Sequence, residues 1–114
     1  ELFNSGKHIR DFTYIDDVII AIDKLISKIP VNFPPSQVYN IANSKPQKLK
    51  YFLKLIENKV GKKAKVKMKP LQLGDTYKTH ADNKKLIRKI GNLKTTSIEN
   101  GISKFVEWFL KYYK

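Results

Sequence analysis

Arg10 has the setting in this chain that best suits chemistry. It begins the stretch Arg10-Asp11-Phe12-Thr13-Tyr14-Ile15-Asp16-Asp17, in which side-chain type alternates from Arg10 to Ile15. The alternation predicts a strand over 10–15, with Arg10, Phe12 and Tyr14 on one face and Asp11, Thr13 and Ile15 on the other. An arginine held on a strand beside two rings suits an anion clamp, because its fork of donors fits phosphate oxygens. The competing reading is a surface arginine paired with a neighbouring carboxylate. A second grouping is Gly74-Asp75, inside a polar loop over 71–76 that has neither a helical nor a strand period. There the carboxylate can accept from hydroxyls while glycine permits close backbone approach. The structural alternative is a turn at Gly74, with Asp75 capping its own loop.

Other constellations are missing. His8 and His80 have no carboxylate pair or cysteine at ligand spacing, so no metal site is expected. The chain holds no G-x-S-x-G and no phosphate-cradling glycine loop; its five glycines are scattered at expected turns and helix ends. Asp16 and Asp17 are adjacent and diverge on a helix, so they cannot serve one substrate as an acid/base pair. No complete catalytic apparatus is present.

These residues must be carried by elements that the rest of the chain supplies. Length is that of one domain, 114 residues, with 41% apolar residues and no cysteine. No apolar run is long enough for a membrane span or a secretory signal. The net charge is +13, and ten lysines face one acid, Glu57, between Lys45 and Lys69. Such an excess favours polyanions, but few aromatics are interleaved with it, and the lysines read as a solvated surface.

Leu2-Phe3-Asn4 and Ser5-Gly6-Lys7 read as a strand end and a tight turn. Asp16 is the expected cap of a helix whose apolar face is Val18, Ile19, Ile22, Leu25, Ile26 and Ile29, ended by Pro30. That stripe is expected to be core. Gln37–Ala42 reads as a buried strand. Ser44 and Gln47 have capping-box spacing ahead of a helix bearing Leu49, Phe52, Leu53, Ile56 and Val60, with Gly61 as its left-handed stop. Val66 and Met68 alternate with lysines as a half-buried edge strand. Asp82 can cap a short helix stopped by Gly91. Thr96 and Glu99 form a second capping box before a terminal helix carrying Ile98, Ile102, Phe105, Val106, Phe109 and Tyr113, with Trp108 and Tyr112 as packing residues flanking its stripe. The expected order is β-β-α-β-α-β-loop-α-α.

In this order the segments resemble the C-terminal part of the extended short-chain dehydrogenase/reductase family, the NAD-dependent nucleotide-sugar epimerases and dehydratases. The matching residues are Arg10 to Asp17, Val38-Tyr39-Asn40-Ile41-Ala42-Asn43-Ser44, Gly61-Lys62-Lys63-Ala64, Pro70-Leu71-Gln72-Leu73-Gly74-Asp75 and Ala81-Asp82. Thr96-Ser97-Ile98-Glu99-Asn100-Gly101-Ile102, with Phe105-Val106-Glu107-Trp108, closes the set. The likeness covers nearly the whole chain. Its Gln-x-Gly-Asp loop and Tyr-Asn-Ile-x-Asn-Ser strand look most like UDP-glucuronate 4-epimerases of the capsule-biosynthesis type.

The resemblance implies an α/β fold. Residues 1–114 would be the C-terminal nucleotide-sugar-binding region of a Rossmann-type extended enzyme whose NAD-binding half is absent. It implies substrate contacts from Arg10 to the diphosphate and from Asp75 near the nucleotide ribose. Gln72 stands where many relatives place a second phosphate-binding arginine; Leu73 and His80 replace a usual proline and a usual aromatic. The family's glycine-rich NAD fingerprint and Tyr-x-x-x-Lys proton-transfer pair lie upstream of these motifs. The chain is therefore expected to be a fragment with no catalytic, NAD-binding or metal-binding residue of its own, NAD being held only by the full-length enzyme. Expected partners are a UDP-sugar and the missing N-terminal half. The resemblance also implies a full enzyme that pairs as a homodimer in the cytoplasm, with no membrane or nucleic-acid role. The alternatives are a lysine-rich module for RNA or an acidic partner, and a dTDP- or GDP-sugar dehydratase fragment of the same family.

Overall fold

Extended segments in this chain find backbone partners over only a few residues each. In the computed structural model, which describes residues 1–113, β1 (Ile9–Arg10) pairs antiparallel with β2 (Gln47–Lys48), Ile9 opposite Lys48 and Arg10 opposite Gln47. The other edge of β1 takes the 77–79 segment. Ile9 N–H donates to the Tyr77 carbonyl and Thr79 N–H to the Ile9 carbonyl, both at 3.1 Å. Though only two residues long, β1 is thus bonded on both sides. Leu2 bridges Met68 in parallel, and a 3-10 turn over Phe3–Gly6 connects it towards β1.

Several expectations are corrected here. The strand foreseen over 10–15 is confined to Ile9–Arg10, because Asp11 bonds elsewhere: its N–H donates to Thr79 Oγ1 at 3.1 Å. α1 (Ile15–Ile26) begins one residue before the expected cap, with Tyr14 at the N-cap and no side-chain bond to it, so Asp16 lies inside the first turn. Ser44 and Gln47 form no capping box. Ser44 Oγ donates to the Ala81 carbonyl at 2.9 Å, and the backbone of Gln47 is taken by β1. α2 (Leu49–Val60) therefore starts at Leu49, and Gly61 stops it in the left-handed conformation expected, φ 74° and ψ 17°. The 65–69 strand reduces to the single Met68 bridge, with Val66 and Met68 exposed. The 37–42 segment is not in a sheet. It is pinned instead by Asn83, whose Oδ1 accepts from Ala42 N–H at 3.1 Å and whose Nδ2 donates to the Ala42 carbonyl.

α3 (Lys84–Ile90) follows, with Asp82 Oδ1 accepting from Lys84 N–H at 2.8 Å and Gly91 as the stop. α4 (Ile98–Tyr112) is capped by Ser97, whose Oγ accepts from Asn100 N–H at 3.3 Å. Thr96, the expected cap, is occupied instead by Asp17: its N–H and its hydroxyl both donate to that buried carboxylate at 2.7 Å.

Two small cores result. Ala21, Leu86 and Leu93 form one, with Leu25, Tyr39, Ile41 and Ile90 packed against it. Ile98, Ile102 and Val106 form the other, with Phe12, Phe52, Leu55 and Ile56. Phe12 and Phe52 stack at 4.2 Å between ring centroids, tying the segment after β1 to α2. The stripe of α1 expected to be core is largely uncovered: Ile19 is 57% exposed and Ile26 72%. α1 packs through Leu25 of that stripe and through Ala21 outside it, and nothing among the described residues covers its isoleucine face. The Cα radius of gyration is 17.2 Å, against about 13 Å for a compact chain of this length.

Candidate functional site

Hydrogen bonds of β1 to both neighbours fix the backbone at Arg10, and its guanidinium is fixed in turn. Nη1 donates to the Ile9 and Tyr77 carbonyls, each at 3.1 Å, and Nη2 donates to Asp75 Oδ1 at 2.8 Å. A guanidinium has five N–H donors. Three are used among the described residues, leaving Nε and one N–H of Nη2 for a ligand, on a side chain 24% exposed. The two sequence readings of Arg10, carboxylate partner and anion donor, are therefore compatible. Pairing with Asp75 holds the planar fork in place and leaves one side of it unbonded.

Asp75 reaches Arg10 from a turn in which its N–H donates to the Gln72 carbonyl at 3.2 Å. Gly74 within that turn has φ 81°, a left-handed conformation glycine adopts without strain. The second oxygen of Asp75, Oδ2, lies 3.2 Å from His8 Nε2. Arg10 and Asp75 thus meet directly although 65 residues separate them. Gln72 sits at the head of the same turn with its side chain exposed and no side-chain hydrogen bond among the described residues.

Sequence reasoning missed three supports. Asp11 Oδ2 accepts from the N–H groups of Ser44, at 3.1 Å, and Ala81, at 3.2 Å, anchoring both flanks of the site to the residue after Arg10. Asp17 joins α1 to the cap of α4 through Thr96. His8 is 3% exposed and shares the Asp75 carboxylate with Arg10. Only His8 had a usable signal, since on a strand residues 8 and 10 point to one face. A cleft of about 340 Å³ lies beside Phe12, Tyr14, Phe52 and Phe105, an apolar groove next to the clamp rather than part of it. The lysine-rich segment forms no aromatic-basic face: Phe52 is stacked on Phe12, and Tyr51 donates its hydroxyl proton to Glu99 at 2.6 Å.

No family model matches the chain. Its fold is that of the C-terminal portion of the Rossmann-type extended short-chain dehydrogenase/reductase epimerases. The UDP-glucose 4-epimerase of Thermotoga maritima, solved with UDP-glucose, matches with a TM-score of 0.84 and 28% identity over 98% of this chain and 35% of that one. In sequence the chain is similar along its whole length to the protein CapI of Staphylococcus aureus, at 39% identity over 129 aligned positions. It is also similar to a probable UDP-glucuronate 4-epimerase of Rhizobium meliloti, at 31% over 130 positions. The chain spans 38% of the length of each of these two relatives.

Proposed function

We propose that this chain is the nucleotide-sugar-binding portion of a NAD-dependent UDP-glucuronate 4-epimerase-type enzyme acting in cell-surface polysaccharide precursor synthesis. One observation carries the reading: a guanidinium immobilised by two carbonyls and a carboxylate, with two donors unused among the described residues. In this reading those donors take the substrate diphosphate, and Asp75 accepts from the nucleotide ribose. Gln72 offers an uncharged donor on the same turn. Positioning by bidentate arginine is the work such a lobe contributes, since holding the sugar in one orientation lowers the entropic part of the barrier. No described glycine sequence fits a dinucleotide, and the chain has no Tyr-x-x-x-Lys. NAD, which supplies hydride transfer when bound, would be held by a separate NAD-binding half, in the cytoplasm. No step is assigned to this chain beyond binding and orientation.

Titrating the chain with UDP-glucuronic acid by calorimetry tests the reading. Arg10→Ala is expected to weaken binding about tenfold or more, as for a lost charge-assisted hydrogen bond, with circular dichroism unchanged. Arg10→Lys should recover only part of it, because lysine lacks the fork. Equal binding by wild type and Arg10→Ala would refute the clamp.

A further inference from the structure

His8 is the buried polar side chain that the clamp leaves unexplained. It is 3% exposed, and among the described residues its Nε2 has no hydrogen-bond partner even though Asp75 Oδ2 lies 3.2 Å away. The two atoms are near but not aligned for donation. Buried unpaired polar nitrogens are uncommon and unfavourable, and this one faces a carboxylate whose other oxygen holds Arg10 at 2.8 Å. Imidazole, carboxylate and guanidinium thus stand in series, with the carboxylate shared.

We infer that His8 is a positioning residue that tunes the Arg10 clamp for anionic ligands through its protonation state. This rests on the proposed role of Arg10. With His8 neutral, the Arg10–Asp75 pair carries no net charge, and the carboxylate offsets part of the attraction of Arg10 for phosphate. Adding a proton to the imidazole gives the three groups a net charge of +1. The protonated ring competes for Asp75, loosening its hold on Arg10 and leaving more of the guanidinium charge for the ligand. Ligand affinity then rises as pH falls through the imidazole range. The charged groups placed against His8 are Asp75, at 3.2 Å, and through its carboxylate Arg10; Lys7, Lys48, Lys50 and the titratable Tyr77 line a cavity beside the neighbouring Ile9. Lysine, arginine and tyrosine side chains ordinarily change charge outside about pH 5 to 8, the range in which histidine changes its own.

UDP-glucuronic acid is a suitable probe, because neither its diphosphate diester nor its carboxylate titrates in that range. Wild-type binding is expected to tighten about fivefold or more from pH 8 to pH 5, the low end of coupling between linked sites. His8→Gln should bind with the high-pH affinity of wild type throughout. A merely structural His8 would instead lower affinity equally at every pH, or change nothing. By reciprocity, saturating ligand should shift the NMR titration midpoint of His8 upward and leave that of exposed His80 in place. This second measurement needs no variant. Binding that depends on Arg10 but is flat with pH, or that keeps its slope in His8→Gln, overturns the role of His8 and leaves the clamp standing. An unmoved His8 midpoint does the same. Binding indifferent to Arg10, or no binding at any pH, overturns both.

Discussion

Tyr51 and Glu99 show how single contacts set the behaviour of this chain. The Tyr51 hydroxyl, on α2, donates to the Glu99 carboxylate in the first turn of α4 at 2.6 Å. That bond is the largest cause holding the Glu99 carboxyl below its ordinary range, with backbone and Ser97 hydrogen bonds adding to it. The same bond holds the Tyr51 phenol above its ordinary value. The lowered acid contributes stability that is present above the unfolded value of about 4.3 and is lost as pH falls through the folded one. The raised phenol contributes stability that is present below about pH 10 and is lost as pH rises through its folded value. The stability difference between wild type and Tyr51→Phe should therefore be greatest near neutrality and shrink toward both extremes. Urea midpoints across pH measure it, and a pH-independent difference would assign the effect to packing alone. At the same scale, Arg10 and Asp75 were legible as candidate groups in the sequence, but their 2.8 Å contact was not. No local pattern reports on a pairing across 65 residues.

Helices were the most legible elements, because a 3.6-residue period survives in a single sequence. α2 and α4 lie where their stripes predicted, and both expected glycine stops hold. Their beginnings were less legible. A cap is a side-chain choice between backbone and tertiary partners, and Thr96 and Ser44 chose distant ones. Gly61 isolates one term cleanly: its φ is 74°, and an added Cβ would meet nothing within 4 Å. Gly61→Ala should destabilise by about 1–2 kcal/mol through backbone strain alone, and Gly61→Asn by less. Thermal unfolding of the two variants checks this; equal losses would mean that strain is not the cause. Strands fared worst. The apolar run over 37–42 and the alternation over 65–69 each describe a sheet-forming segment, but a strand exists only where another segment supplies donors and acceptors, and here few do.

The molecule as a whole is less closed than its composition implies. It has two separate cores, a radius of gyration of 17.2 Å, and uncovered apolar faces on α1 and along Phe105, Trp108, Phe109 and Tyr112 of α4. Among the described residues no helix is long and apolar enough to cross a membrane. Since Ile26 is 72% exposed, Ile26→Lys should change the stability of the chain by no more than about 0.5 kcal/mol. A core isoleucine at that position would make the loss several times larger. Denaturant unfolding of this variant beside Ala21→Lys, whose site is fully buried, separates the two faces of α1.

From the sequence alone came the helices, the two glycine stops, the fold class and the chemical types at the candidate site. These depend on period, backbone freedom and residue order, which a linear chain carries openly. Tertiary structure decided which face of α1 is covered, which oxygen of Asp75 meets Arg10 and which meets His8, and that Asp17 rather than solvent takes Thr96. Each of these is a choice among partners distant along the chain, made by packing geometry and by the need of buried polar groups to find a bond.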